Sequence, residues 1–441
     1  MKNNKRLNSL ILLAGIATAI AGFMLSGCDD KVELTQKYTI MEPVYMTPEA
    51  IREAFDVMPP VEITNTGKIY LYKEYIFLNE PGKGIHVIDN KDNTKPNAIS
   101  FINIPGNNEL AVRGDRLFAD SYLDLVVIDI SDPLNIVEVK RLKNIFEQMF
   151  QNTQYYDPQK GVVVDYEPKE IVEVSSSEFN GSFPSYYYRS GGWLALEGNF
   201  TKDMMSSSML PPGSIVQTGI GGSMARFTIM KEHLYSIDNS NLRVFDITDL
   251  DDPIPGANLN IGWGVETIFP YKENLFLGTN SGMIIYDNTN PDFPKHLSTL
   301  SHIVSCDPVV VENDIAYVTL RGGSGCRGSF TNQLDVIDIS DLKNPKIIVS
   351  HPMTSPYGLG IDNGTLFICE GTSGLKVYDA ADVKKIDLKD YIGGIDAFDV
   401  IPYNNVLILI GKDGLYQFDY TNPEDLQLLS MINISREETM P

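Results

Sequence analysis

The chain has 441 residues, with 58 Asp and Glu against 35 Lys and Arg and a formal net charge of −23. That balance excludes nucleic acid as a partner, since phosphate binding needs a basic footprint, and argues against docking on anionic lipid. The acidity reads first as the solubility of an exposed domain.

The N-terminus is a targeting signal. Lys2, Lys5 and Arg6 form a basic start, Leu10 to Leu25 an apolar stretch, and Leu25-Ser26-Gly27-Cys28 its end. The stretch is too short and wrongly flanked for a membrane span. The pattern resembles the bacterial lipobox, which implies cleavage before Cys28 and lipidation of that residue. Residues 1–27 are then a lipoprotein signal peptide, and the mature chain is held at a membrane by its acyl chains, each buried methylene contributing roughly 0.8 kcal/mol. Without the three basic residues of the signal the charge is 32 against 58, or −26. Asp29 and Asp30 follow the Cys, and by the same resemblance they are a sorting signal. The expected location is the bacterial cell envelope, with the outer membrane or cell surface favoured. Residues 28–60 read as a lipidated tether, polar through residue 37, and one short helix from Pro48 to Phe55. Thr47 is its cap and Pro48 its first position.

A heptapeptide then recurs seven times, from Gly84-Ile-His-Val-Ile-Asp-Asn90 and Asp124-Leu-Val-Val-Ile-Asp-Ile130 to Gly414-Leu-Tyr-Gln-Phe-Asp-Tyr420. Its second position is aliphatic, its fifth is Ile, Phe or Tyr, and its sixth is always Asp. A second apolar strand lies upstream in every copy, as in Leu117-Phe118-Ala119. A first strand precedes that, and a fourth follows the Asp and its turn. Four short antiparallel strands per unit of about forty residues are the signature of a β-propeller blade. The Asp is expected to close each strand by bonding backbone N–H groups two residues on.

The motif Asp residues are 89, 129, 246, 287, 338, 379 and 419. Four separations are 40 or 41 residues. The interval of 51 places ten extra residues between the second and third strands of unit five, and the interval of 117 places roughly 76 between units two and three. The chain therefore reads as an all-β, seven-bladed propeller over residues 61–434, with a large insertion at about 144–221 and a polar tail at 435–441. The repeated Leu-x-Val-Ile-Asp core resembles the LVIVD repeat of bacterial and archaeal surface-associated proteins. That resemblance implies a propeller and carries no catalytic residue, cofactor or ligand.

In a blade, the loop entering the first strand and the loop between strands two and three lie on one face. Both insertions fall there, and insertions on one face of a repeat array build binding surfaces. Cys306 opens unit five and Cys326 sits in its insertion. A disulfide between them is expected, stabilising by about 3 kcal/mol; free thiols or a metal site are the alternative, although no nearby His or Cys completes a zinc set. Cys369 lies in a core strand and reads as a buried thiol. Residues opening the first strands are expected to ring the channel mouth: Glu109, Glu266, Asp307, Tyr357 and Asp396, with Trp263 close by. Such a rim can bind a cation, an amine or sugar hydroxyls, or can simply be solvated acid. Tyr186, Tyr187, Tyr188 and Trp193 in the large insertion suit sugar stacking or protein contact, or form the insertion's own core.

There is no His-Glu-x-x-His, no Gly-x-Ser-x-Gly and no phosphate-binding glycine loop. No metal or cofactor is expected. The expected function is a ligand-binding or protein-interaction scaffold, with a membrane partner through its lipid and a glycan or envelope protein through its decorated face. The alternatives are a carbohydrate-active enzyme using the acidic rim and a structural subunit of an envelope complex.

Overall fold

The computed structural model describes residues 31–150, 155–178, 218–223, 225–238, 240–301, 308–322 and 331–435. They fall into two compact units, one within Met1–Val44 and Val164–Gly198, the other within Tyr45–Val163 and Asn199–Pro441. Among the described residues no helix is long and apolar enough to cross a membrane.

The first unit is a ribbon in which Lys31–Met46 and Gly161–Glu178 lie hydrogen-bonded side by side. Lys37 pairs with Glu170 at 2.9 Å and Lys169 with Glu42 at 2.8 Å. Residues 31–37, expected as polar tether, are thus strand, because a neighbouring strand takes up their backbone groups. At the start of the second unit the helix runs over Pro48–Glu53, and Thr47 accepts a 3.3 Å bond from the Ala50 N–H. It is the N-cap that the sequence places there.

The rest of the second unit is β-sheet. Four-strand antiparallel meanders occupy residues 69–103, 110–142, 227–260, 265–301, 309–352, 359–392 and 397–433, named here sheets A to G. Each is built from consecutive residues. In sheet B, Leu125, Val126, Val127 and Ile128 are all fully buried, because the third strand is covered on both faces by neighbouring sheets. That is why the motif is an almost unbroken apolar run. The cores link the sheets in series. One joins A, B and C, through Tyr70, Val112 and Phe245 among others. Others join C to D, D to E and F, and F to G. A last one returns from G to A through Ile401, Ile408, Ile69 and Ile76. The fold is a β-propeller of four-stranded sheets.

All seven motif Asp residues make the expected turn. Each Oδ1 accepts the backbone N–H two residues on: Lys91, Ser131, Thr248, Thr289, Ser340, Ala381 and Thr421, at 2.7–3.0 Å. The outer strand pair of every sheet carries a register shift. Such bulges twist an open edge away from foreign strands. Sheet A is further covered on its outer edge by Asp56–Met58.

Among the described residues, sheets G and A meet without exchanging a strand. Asn90 and Gln417 form a reciprocal amide pair at 2.9 and 2.7 Å, and the Ser430 hydroxyl donates to the Asn93 carbonyl at 2.6 Å. The inner edge of sheet A carries a further short strand. The last residues of the large insertion do not stay on a loop face. Ile220–Gly221 pairs antiparallel with Ile69–Tyr72, and Gly219 N–H donates to the Val112 carbonyl at 2.8 Å. Further on, buried Ser223 accepts at Oγ from the Leu359 N–H of sheet F at 3.2 Å. Only glycine fits this path: a Cβ on Gly219 would stand 2.3 Å from the Tyr70 ring and 2.7 Å from the Leu71 carbonyl oxygen.

Candidate binding cavity

Four residues open the inner strands of sheets A to D: Lys68, Glu109, Arg226 and Glu266. Their side chains alternate in charge. Lys68 Nζ lies 3.2 Å from Glu109 Oε1, and both side chains are only 9% exposed. The other Glu109 oxygen accepts the Arg226 backbone N–H at 3.0 Å, and Arg226 Nε donates to the Glu266 carbonyl at 3.3 Å. Burial lowers the pKa of Lys68; Glu109 and Asp399 oppose that shift. Burial likewise lowers Arg226, opposed by Glu109, Glu266, Asp238 and Asp120.

Beside this chain of charges is a cavity of about 430 Å³ at the junction of sheets A, B and C. Its aromatic wall comes from sheet B and the segment after it: Tyr122, Phe146, Phe150 and Tyr155. The Tyr122 ring lies against Gly106, where a Cβ would come within 2.3 Å of it and where φ is +78°. Tyr122 and Phe150 meet edge to face at 6.3 Å. The Arg243 guanidinium sits 5.9 Å over Phe146 and 3.4 Å from Asp238.

The polar lining is held from behind. Asp120 Oδ1 accepts three bonds, from Asn108 N–H at 2.7 Å, Glu109 N–H at 2.8 Å and Asn107 Nδ2 at 2.9 Å. Burial nevertheless pushes its carboxyl up to about 7, aided by Glu109 and resisted by those donors. Asp238 accepts the N–H groups of Ser240 and Asn241 at 2.8 and 2.7 Å. Asn79 is fully buried. Its Nδ2 donates to Asn107 Oδ1 at 2.7 Å, while its Oδ1 has no hydrogen-bond partner. Next to it, Glu80 takes bonds from His86, Lys83 and Thr64. Burial would raise the Glu80 carboxyl, but these donors win and hold it down at about 2.

Of the rim predicted from sequence, Glu109 lines this cavity, buried rather than at an open edge. Glu266 lies one step along the charge chain through Arg226. Trp263 stands 63% exposed on the loop before sheet D. Tyr357 lies elsewhere, under the Arg321 guanidinium at 3.9 Å and 5.5 Å from the Phe398 ring. Asp396 accepts at its carbonyl from the Lys412 N–H at 2.8 Å. Two basic residues not named in the sequence reading, Lys68 and Arg226, interleave here with Glu109 and Glu266. Asp307, Cys28, Cys306, Cys326, Tyr186, Tyr187, Tyr188 and Trp193 lie outside the described residues. Among the described residues no cluster of three or more His, Cys, Asp or Glu side chains can hold a metal. Cys369 is a buried free thiol whose pKa burial pushes up.

The residues not named from sequence had a signal, which Lys68 and Arg226 share with Glu109 and Glu266. Lys68, Glu109, Arg226 and Glu266 stand 21, 20, 20 and 21 residues before their motif Asp. Glu80, Asp120, Asp238 and Glu370 stand 9, 9, 8 and 9 before theirs. They end, or directly follow, the second strands, and they bond the loops beside them.

A family model described as the LVIVD repeat matches residues 108–143 and 309–351. This chain carries LVIVD repeats. The two matched stretches lie in sheets B and E, and the heptapeptide described above forms the third strand of each of the seven sheets. No curated protein matches the chain. Solved structures similar to it include the computationally designed Ika8 protein, at 9% identity and TM-score 0.48 over 83% of this chain and 87% of that one. Sqt1 of Saccharomyces cerevisiae matches at 8% identity and TM-score 0.48, over 90% and 89% of the two chains. BamB from Moraxella catarrhalis matches at 7% and 0.44, over 87% and 97%.

Proposed function

We propose that sheets A to G are the seven blades of one closed propeller, and that this propeller is a binding scaffold of the bacterial cell envelope, anchored by lipid on Cys28. The serial cores from A through G and back to A support the closed ring. The observation that carries the binding role is the cavity at A, B and C. It lies among the loops that enter inner strands and those that join second to third strands, where a repeat scaffold builds its binding surface. The acids around it are engaged by fixed donors, an arrangement that presents a shaped surface.

The test is site-specific photo-crosslinking in intact cells. A crosslinker at Tyr155, beside the cavity, is expected to capture a discrete envelope component, and one at exposed Leu428 on the outer strand of sheet G is not. Capture from Leu428 alone would move the binding surface to the outer edges and defeat this reading. Metabolic labelling with a fatty acid, lost in Cys28→Ala, tests the anchor.

A further inference from the structure

We propose that the cavity between sheets A, B and C is a glycan-binding site for an uncharged stretch of one or two sugar rings. The inference rests on the scaffold reading and names the ligand class of that same face.

Size comes first. About 430 Å³ is within the range of small-molecule sites and suits a ligand of one or two rings. Chemistry narrows it further. Sugars present apolar C–H faces and a fringe of hydroxyls, so they need flat apolar walls and fixed acceptors together. Tyr122, Phe146, Phe150 and Tyr155 supply the walls. The acceptors are Asp120, whose orientation three N–H donors fix, and Asn79, whose fully buried Oδ1 meets no donor in the protein. A buried acceptor without a donor is costly, and a ligand hydroxyl would satisfy it. Asn108 and Ser236 add polar groups to the same lining.

Charge excludes the competing small ligands. A phosphate or uronate needs a surplus of positive charge, yet the three lining cations Lys68, Arg226 and Arg243 are matched by three lining acids, Glu109, Asp120 and Asp238. A free cation needs a surplus carboxylate, yet Glu109 and Asp238 are committed to those partners and to backbone N–H groups. The cavity is therefore balanced, and its ligand is neutral.

The experiment uses the full-length protein in detergent on an array of neutral and acidic glycans, followed by calorimetric titration of the best neutral ligand. Asp120→Asn keeps the Oδ1 acceptor and removes the charge; Phe150→Ala removes one wall. Each is expected to weaken binding by about tenfold or more, while Leu428→Ala leaves it unchanged. Near-ultraviolet circular dichroism shows whether each variant keeps its packing. Neutral-glycan binding that survives both cavity substitutions, or a preference for acidic glycans, overturns the proposal. If no glycan binds while the crosslinker at Tyr155 still captures an envelope component, the glycan inference fails and the scaffold stands. If both are negative, both fail.

Discussion

Replacing Lys68 by Met tests whether the buried charge chain holds sheets A, B and C together. The Met side chain keeps most of the stem and removes the ammonium 3.2 Å from Glu109. At that separation, with an effective dielectric of about 20, the attraction removed is ~5 kcal/mol before solvation is counted. Losing one partner of a buried pair costs about 3–5 kcal/mol. Arg226 still faces Glu109, which puts the expected loss near the lower end, about 3 kcal/mol. Glu109→Gln keeps an acceptor for the Arg226 N–H. In the double variant no carboxylate is stranded at this pair, so it should recover to within about 1–2 kcal/mol of wild type. Urea unfolding followed by far-ultraviolet circular dichroism gives the cycle. A coupling below about 0.5 kcal/mol would refute the reasoning. A second readout has a definite sign. Burial lowers the Lys68 pKa in the folded state, so the unfolded chain holds that proton more tightly. Wild-type stability should therefore gain a contribution as pH rises through the folded pKa toward the unfolded one, and Lys68→Met should lack it.

Three further outcomes follow from the same geometry. The folded pKa of Asp120, at about 7, lies above its unfolded value, so its contribution is full below the unfolded pKa and is lost as pH rises to about 7. Asp120→Asn should thus gain on wild type between pH 4 and 7 in parallel melts; a constant difference across that range contradicts the burial argument. Asp246, Asp287, Asp338 and Asp419 have lowered pKa values through the bonds in their turns. Their stabilisation is present above the unfolded pKa and lost as pH falls through the folded one, so Asp338→Ala should lower the melting temperature at pH 7 and much less at pH 2. Gln417→Leu breaks the amide pair that joins sheets G and A and should cost about 1–3 kcal/mol, with Asn90 left unmatched. Hydrogen exchange should then show the first loss of protection in those two sheets, and a uniform loss would count against a local seam.

The strands and turns were legible because each motif position has one structural job. Val87, Val127 and Val336 are buried in third strands, and Asp89, Asp129 and Asp338 end those strands in the same turn. The inner ring was harder to read because its register is not constant. The first strands of sheets D and G carry bulges, between Val265 and Thr267 and between Ala397 and Asp399. A single offset from the motif Asp therefore slips by a residue in those sheets. Pairing between sheets leaves no periodic trace at all. Lys68 and Glu109 are 41 residues apart, and only the packing of A on B brings them together. The strand at Ile220–Gly221 was invisible for a further reason: two residues are too few to show alternation, and only the close approach to Tyr70 explains the glycines at 219 and 221.

That short strand has a bearing on traffic. Main chain runs along the inner edge of sheet A and is tied to sheet F through Ser223. The inner side of these sheets is therefore occupied by backbone and cannot serve as an open duct there.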